Sequence, residues 1–185
     1  MELVLEWAPV SEGPAIDAEE ARLVAASRDG DQDAFAELID RHKARVFRLA
    51  GRFFLRREDV EDVAQETFIT AWRRLSTYAA KAPFEHWITR ICLRVCYARL
   101  SSERRREVPT SSQAPHATPN LVAAIDLERL LARLNPADRF VLLLLDGEGW
   151  SVQEIAERIG WTATNVKVRA FRARRRLRRI LEERS

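Results

Sequence analysis

Apolar residues recur along this sequence at spacings of three and four, and nowhere do they alternate in a run bounded by turn residues. Spacings of three and four stack side chains on one face of an α-helix, whereas a half-buried strand needs a period of two. The expected fold is therefore all-α, with two small helical domains joined by a flexible linker, the second a helix-turn-helix. With 185 residues, 46% of them apolar, each helix of two such domains has a face to bury.

Asp17 followed by Glu20 reads as a capping box that starts a first helix, Gly30 ends it, and Asp31 caps the next. In the second helix Phe35, Leu38, Ile39, Val46, Leu49 and Phe53 form one stripe. A third runs from about Asp59 to Leu75, with Val60, Val63, Ala64, Thr67, Ala71 and Leu75 inward and Asp62, Gln65, Glu66 and Trp72 on its other faces. Pro83 stands near the first turn of a fourth, marked by Phe84, Trp87, Ile88, Ile91, Val95 and Ala98. These four helices make a domain over residues 16–100, preceded by an extension of residues 1–15 that carries Leu3, Leu5 and Trp7 and has no functional account. Cys92 and Cys96 lie one turn apart, with no second cysteine pair and only scattered histidines. They read as small packed residues, redox sensing being the other reading, and no metal site or disulfide scaffold is expected.

Between residues 101 and 120 the pattern gives way to Ser, Arg, Pro, Gln and Thr, with Pro109, Pro115 and Pro119 blocking a long helix. Such a stretch buries too little apolar surface to offset its ordering entropy, so a mobile linker is expected. The remaining domain, residues 121–185, opens with an amphipathic Leu121 to Leu134. Asn135-Pro136 then starts a helix over Ala137 to Leu145. Ser151 with Glu154 makes another capping box, Gly160 ends that short helix, and Thr162 caps the last one. Ile155, Ala156, Ile159, Gly160 and Val166 fall where a helix-turn-helix needs a small residue at the crossing, a glycine in the turn and apolar facing sides.

At about a hundred degrees per residue, Val166, Ala170, Ala173 and Leu177 share one inward stripe of the last helix. Its opposite face presents Thr164, Val168, Phe171, Arg172, Arg175 and Arg179, flanked by Asn165, Lys167, Arg169 and Arg174. The first twenty residues carry acids and no base, while Lys167 to Arg179 holds eight Lys or Arg and no acid. That asymmetry points to a polyanion at the C-terminal end, and a cationic helix with one large aromatic suits a major groove lined by phosphates. Met1 to Val10 lacks a basic start, and the longest apolar run, Phe140 to Leu145, is too short to span a bilayer, so a soluble cytoplasmic protein is expected.

The stretch from Asp59 through Val63-Ala64-Gln65-Glu66 to Trp72 resembles the core-polymerase-binding segment of extracytoplasmic-function RNA polymerase sigma factors, members of the sigma-70 superfamily. Phe84 to Ile91 resembles their promoter-melting helix, and Ser151 to Leu177 is similar to their second DNA-binding domain. The resemblance implies that Asp62, Gln65, Glu66 and Phe68 grip the clamp helices of the polymerase largest subunit, with a second contact to the polymerase flap. It implies that Trp72, Arg73, Tyr78, Lys81, Trp87 and Arg90 serve the minus-ten element, although Trp87 shares the inward stripe with Phe84 and Ile91. Thr164, Asn165, Lys167, Val168, Arg169, Phe171, Arg172 and Arg175 would serve the minus-thirty-five element of promoter DNA. The linker would thread the polymerase toward the RNA exit channel, and an anti-sigma factor would hold the protein inactive.

The sequence departs from the family at Ala79, Ala80 and Lys81, where relatives often place Arg, Gly and an acid, and at Thr164, Asn165 and Val168 in the last helix. Neither promoter element is therefore transferable. A stand-alone dimeric helix-turn-helix regulator is the alternative, and it leaves Asp59 to Trp72 without a purpose. A helical nuclease lacks ligand clusters, a phosphate-cradling loop and a nucleophile motif in this sequence. Hence no enzyme activity, cofactor, metal or small-molecule substrate is expected.

Overall fold

The computed structural model describes residues 17–103 and 119–183, and every regular element among them is helical. In chain order these are α1 (Ala18–Arg28), α2 (Gln32–Ala50), α3 (Arg57–Arg74), a 3-10 turn (Leu75–Thr77), and α4 (Phe84–Glu103). After the linker come α5 (Pro119–Ala132), α6 (Pro136–Leu142), a π-helical turn (Leu143–Gly147), α7 (Val152–Ile159) and α8 (Ala163–Glu182). The chain divides into two compact units, one holding α1, α2, α3 and α4 as far as Val95, the other holding α5, α6, α8 and the first part of α7. None of the described helices is long and apolar enough to cross a membrane.

Helix starts follow side-chain chemistry, because the first N–H groups of a helix have no acceptor within it. The Asp31 carboxylate accepts from the Asp33 and Ala34 N–H groups at 2.9 and 3.0 Å, and Asn135 accepts from Ala137 N–H at 3.1 Å. Ser151 and Glu154 make the full reciprocal box: the Glu154 N–H donates to the serine hydroxyl at 3.1 Å and the Ser151 N–H to the glutamate at 2.8 Å. Thr162 accepts from the Asn165 N–H at 3.1 Å.

The start of α1 differs from expectation. Asp17 caps through the Glu19 N–H, and Glu20 does not reach back to close a box. One oxygen of Glu20 accepts from the Phe84 N–H of α4 at 3.0 Å, and the other meets His42 Nε2 of α2 at 3.0 Å. The reason is burial: Pro83 has no N–H, the first-turn donors of α4 are enclosed, and a carboxylate also suits the positive end of a helix. Glu20 and His42 are both nearly enclosed, so this one carboxylate ties three helices together. Nearby, the Arg28 guanidinium donates to the carbonyls of Leu75 and Tyr78, and the Tyr78 hydroxyl donates to the Ala82 carbonyl at 2.6 Å. Those bonds fasten the α3–α4 connection against α1. Within it, Ala80 sits at φ +52°, a left-handed conformation that strains any residue with a Cβ.

Around this frame the N-terminal core forms largely as the stripes dictate. Phe35, Leu38, Val46 and Leu49 of α2 are buried against Val63, Ala64, Thr67 and Ala71 of α3, while Ile39 stays half-buried and Phe53 packs just beyond the end of α2. Cys92 and Cys96 are fully buried, the Cys92 thiol lying 4.0 Å from the Val46 carbonyl. In the C-terminal unit Leu131, Leu134, Leu142, Ala173 and Ile180 make a core from α5, α6 and α8, with Leu130, Leu143 and Leu177 packed against it.

Three boundaries move. α4 runs through Glu103, α5 begins at Pro119, and α6 ends at Leu142, giving way to the π turn. Pro119 opens a helix instead of blocking one, since its missing N–H costs nothing at a first turn. The expected linker mobility over 104–118 and the extension at 1–15 lie outside the described residues.

Glu20→Ala leaves the Phe84 N–H and His42 without their shared acceptor, and is expected to destabilise the protein by about 1–3 kcal/mol. Glu20→Gln, which keeps an acceptor for Phe84, should cost less. Urea unfolding of the two variants checks the order, and equal midpoints would remove this carboxylate from the frame. Ala80→Gly relieves the left-handed strain and should raise stability by about 1 kcal/mol in the same assay.

Candidate nucleic-acid and polymerase interfaces

The turn before α8 is set by Gly160 at φ +76°, with the Trp161 N–H donating to the Ala156 carbonyl at 3.0 Å. From that start α8 buries Val166, Ala170, Ala173 and Ile180 and half-buries Leu177. Thr164, Val168, Phe171, Arg172, Arg175 and Arg179 are exposed on the other side, as the helical wheel requires. Phe171 is 65% exposed, an apolar ring held in water and the most exposed of the large apolar side chains on α8, where Val168 and Leu181 are also exposed. Lys167, Arg172, Arg175, Arg176, Arg178 and Arg179 form no ion pair with any described residue, so their charge is not neutralised within the module. The result is a rigid cationic row flanking one aromatic.

Two cations expected on or beside that row are engaged elsewhere. Arg169 donates through Nε to Asn165 at 2.8 Å and through Nη1 to Asp138 of α6 at 3.3 Å, and its guanidinium lies 4.7 Å from the centre of the Trp161 ring. Arg169 and half-buried Asn165, both expected to face DNA, thus also orient α8 against α6 and the turn. Arg174 pairs with Asp146 through two bonds of 2.7 and 3.3 Å, and this contact holds its affinity for its proton above the ordinary arginine value. Asp138 and Asp146 were missed because their partners lie about thirty positions away, where no local spacing signals them.

In the N-terminal unit, Asp62, Gln65 and Glu66 are exposed together on α3. Phe68 departs from that group, being half-buried, and Ile69 takes its place at 43% exposure. Residues 62, 65, 66 and 69 share one helical face, so the spacing that marks the acidic residues also marks Ile69, which sequence reading passed over. The face is a carboxylate and amide surface with an apolar residue at its C-terminal end.

The candidates for the minus-ten element separate by depth. Arg73 and Lys81 are exposed, Arg90 is half-buried, and Trp72 is 38% exposed with its ring 4.8 Å from Phe35. Tyr78 and Trp87, both expected to serve the minus-ten element, are buried in the folded protein at 3% and 6% exposure. With Phe84 they form a cluster of edge-on and tilted ring contacts at centroid distances of 5.3 to 5.5 Å, and the Arg28 bonds hold the Tyr78 backbone in place. Burial, aided by the charge of Glu20 and opposed by Arg28, pushes the Tyr78 phenol up to about 12. Burial and the neighbouring Arg94 lower the proton affinity of Arg90. Tyr78, Lys81, Trp87 and Arg90 nevertheless line one cavity of about 20 Å³, room for a single water.

Because Arg169 clasps α6, the turn and α8 at once, Arg169→Ala should destabilise the C-terminal module by about 1–2 kcal/mol. Its base preference should stay unchanged. Unfolding monitored by Trp161 fluorescence, together with binding to single-base variants, checks both; a shifted preference with unaltered stability would return Arg169 to the readers.

Known proteins align with both units. The model of Sigma-70 region 2 matches residues 38–106, and that of Sigma-70 region 4 matches residues 124–177. The ECF RNA polymerase sigma factor SigM of Mycobacterium tuberculosis is 32% identical over 165 residues, covering 88% of this chain and 84% of the relative. The RNA polymerase sigma factor NccH of Alcaligenes xylosoxydans xylosoxydans is 30% identical over 182 residues, covering 91% and 96%. Among solved structures, CnrH in complex with the cytosolic domain of CnrY superposes with a TM-score of 0.60 at 29% identity, covering 91% of this chain and all of CnrH's. Helical units of matching order, an exposed acidic face and an exposed cationic last helix all agree with these likenesses: the chain belongs to the extracytoplasmic-function RNA polymerase sigma factors, which direct the polymerase to promoters.

Proposed function

We propose that the two exposed faces divide the work of promoter selection, α3 gripping the polymerase and α8 reading the upstream element. The observation that carries this is α8 itself, which buries Val166, Ala170, Ala173 and Ile180 and leaves Phe171 beside arginines without internal partners. Arg172 reads base edges, Arg175 and Arg179 neutralise phosphates, and Val168, which has no donor, meets a thymine methyl. On α3, Asp62, Gln65 and Glu66 bind arginines of the clamp helices through charge-assisted bonds, with Ile69 buried at one edge of the contact. The C-terminal unit also meets the flap.

For the minus-ten element, Trp72, Arg73, Lys81 and Arg90 supply stacking and charge to the separated strand. Tyr78 and Trp87 support them from beneath, touching DNA only if the Tyr78–Pro83 loop opens. The protein acts in the cytoplasm, where promoter and polymerase meet. An anti-sigma factor holds it inactive by covering these faces; CnrH, solved with the cytosolic domain of CnrY, supports that reading.

Run-off transcription with purified core polymerase on a library of randomised promoters tests the proposal, which predicts start sites preceded by two selected elements. In a gel shift without polymerase the protein should bind duplex DNA poorly; tight binding as a dimer would favour a stand-alone regulator. Arg172→Ala should cost roughly 1–3 kcal/mol at one base position, whereas Arg175→Ala should weaken binding to all sequences and flatten its salt dependence. Equal loss at every position for both variants would remove Arg172 from the readers.

A further inference from the structure

On the outward side of α8, Lys167, Arg174, Arg175 and Arg178 line one groove together with the ring of Phe171. Arg174 alone of these four cations has an ion pair with a described residue: Asp146 accepts from its Nη2 at 2.7 Å and from its Nε at 3.3 Å. Two bonds from one guanidinium edge to one anion are also the geometry in which arginine takes a phosphate. The backbone holds the carboxylate in that place, because Asp146 belongs to the π turn Leu143–Gly147, where N–H groups reach back five residues. The Glu148 N–H donates to the Leu143 carbonyl and the Trp150 N–H to the Leu144 carbonyl, both at 3.0 Å, and the Leu144 side chain is fully buried. One side of the turn is thus anchored in the core, and Asp146 on its other side is exposed toward α8. An acid one residue from the end of a helical segment opposes the helix dipole, so local helix stability does not explain its position.

We propose that Asp146 stands in for a DNA phosphate at Arg174 and withholds that cation from the duplex, so that α8 neutralises one phosphate fewer than its charges allow. The pair is about half exposed, at 55% for Arg174 and 50% for Asp146, and an exposed pair of this kind is weak in itself. A phosphate that drew Arg174 away would meet the freed carboxylate at close range, and that like-charge contact makes the exchange unfavourable. Phosphate contacts supply the sequence-independent part of DNA affinity. Asp146 therefore holds that part down and leaves Arg172, on the base-facing side, untouched. The same restraint gives a physical reason for weak duplex binding before polymerase is joined. This role rests on the reading of α8 as the promoter-facing helix.

Fluorescence anisotropy of the full chain on a labelled random-sequence duplex, repeated across salt concentrations, tests this. Asp146→Asn should bind about tenfold tighter than the unaltered chain at 50 mM salt and about threefold tighter at 200 mM, since one added phosphate contact steepens the plot of log affinity against log salt by about 0.9. Asp146→Ser, which removes the charge with a different side chain, should show the same gain. Adding Arg174→Ala to Asp146→Asn should return both affinity and slope to those of the unaltered chain. Asp126→Asn removes an equal charge from the pair with Arg129 on α5 and should change neither. An Asp146→Asn gain matched by Asp126→Asn would reduce the effect to net charge and overturn the proposal. So would a gain that survives Arg174→Ala, or weaker binding by both Asp146 variants, which would make the carboxylate a support for Arg174. Failure of the α8 reading looks different: Arg175→Ala would then leave the salt slope unchanged, whereas a slope flattened by Arg175→Ala and unaltered by Asp146→Asn would sink the role of Asp146 alone.

Discussion

The side of α8 that packs and the side that faces outward cannot be exchanged, and this constraint orders the C-terminal unit. Alanine at 170 and 173 keeps the inward side narrow, so α6 approaches closely and the helix seats in one rotation. Val166 near its start and Ile180 near its end hold that rotation along the whole length. The Arg169 clasp to Asp138 and Trp161 fixes the same angle from the edge. Once the rotation is set, Phe171 and the arginines without an ion pair among the described residues have no route inward, and a cationic outer surface is the consequence of packing.

The N-terminal unit solves a different problem, that of holding a connection between α3 and α4 with little apolar surface of its own. Glu20 supplies the acceptor that Phe84 lacks, Arg28 takes the carbonyls of Leu75 and Tyr78, and the rings of Tyr78, Phe84 and Trp87 pack edge-on and tilted against one another. Polar groups so enclosed are costly to leave unmet, which is why the loop tolerates the strained Ala80. The loop thus presents Lys81 at the surface above buried aromatic rings.

Much of this was legible in the sequence because it is local. The caps at Asp31, Asn135, Ser151 and Thr162 involve residues two or three apart, and the stripes of α2, α3 and α8 follow from helical period alone. What was not legible depends on partners far along the chain. Glu20 resembles a capping-box residue at its own position, and only the presence of Phe84 and His42 redirects it. Arg169 looks like its neighbouring arginines until Asp138 claims it, and Tyr78 looks like a free aromatic until Ala82 and Arg28 enclose it. Composition carried the linker too far, to residue 120, since a proline that stops one helix also starts another.

Hydroxyl-radical footprinting on a promoter selected with core polymerase addresses the central claim, that the faces of α3 and α8 choose a start site together. The account predicts two separate protected stretches that appear only when protein and core polymerase are both present, the upstream one assigned to α8. A single protected stretch formed by the protein alone, unchanged on adding polymerase, would contradict it.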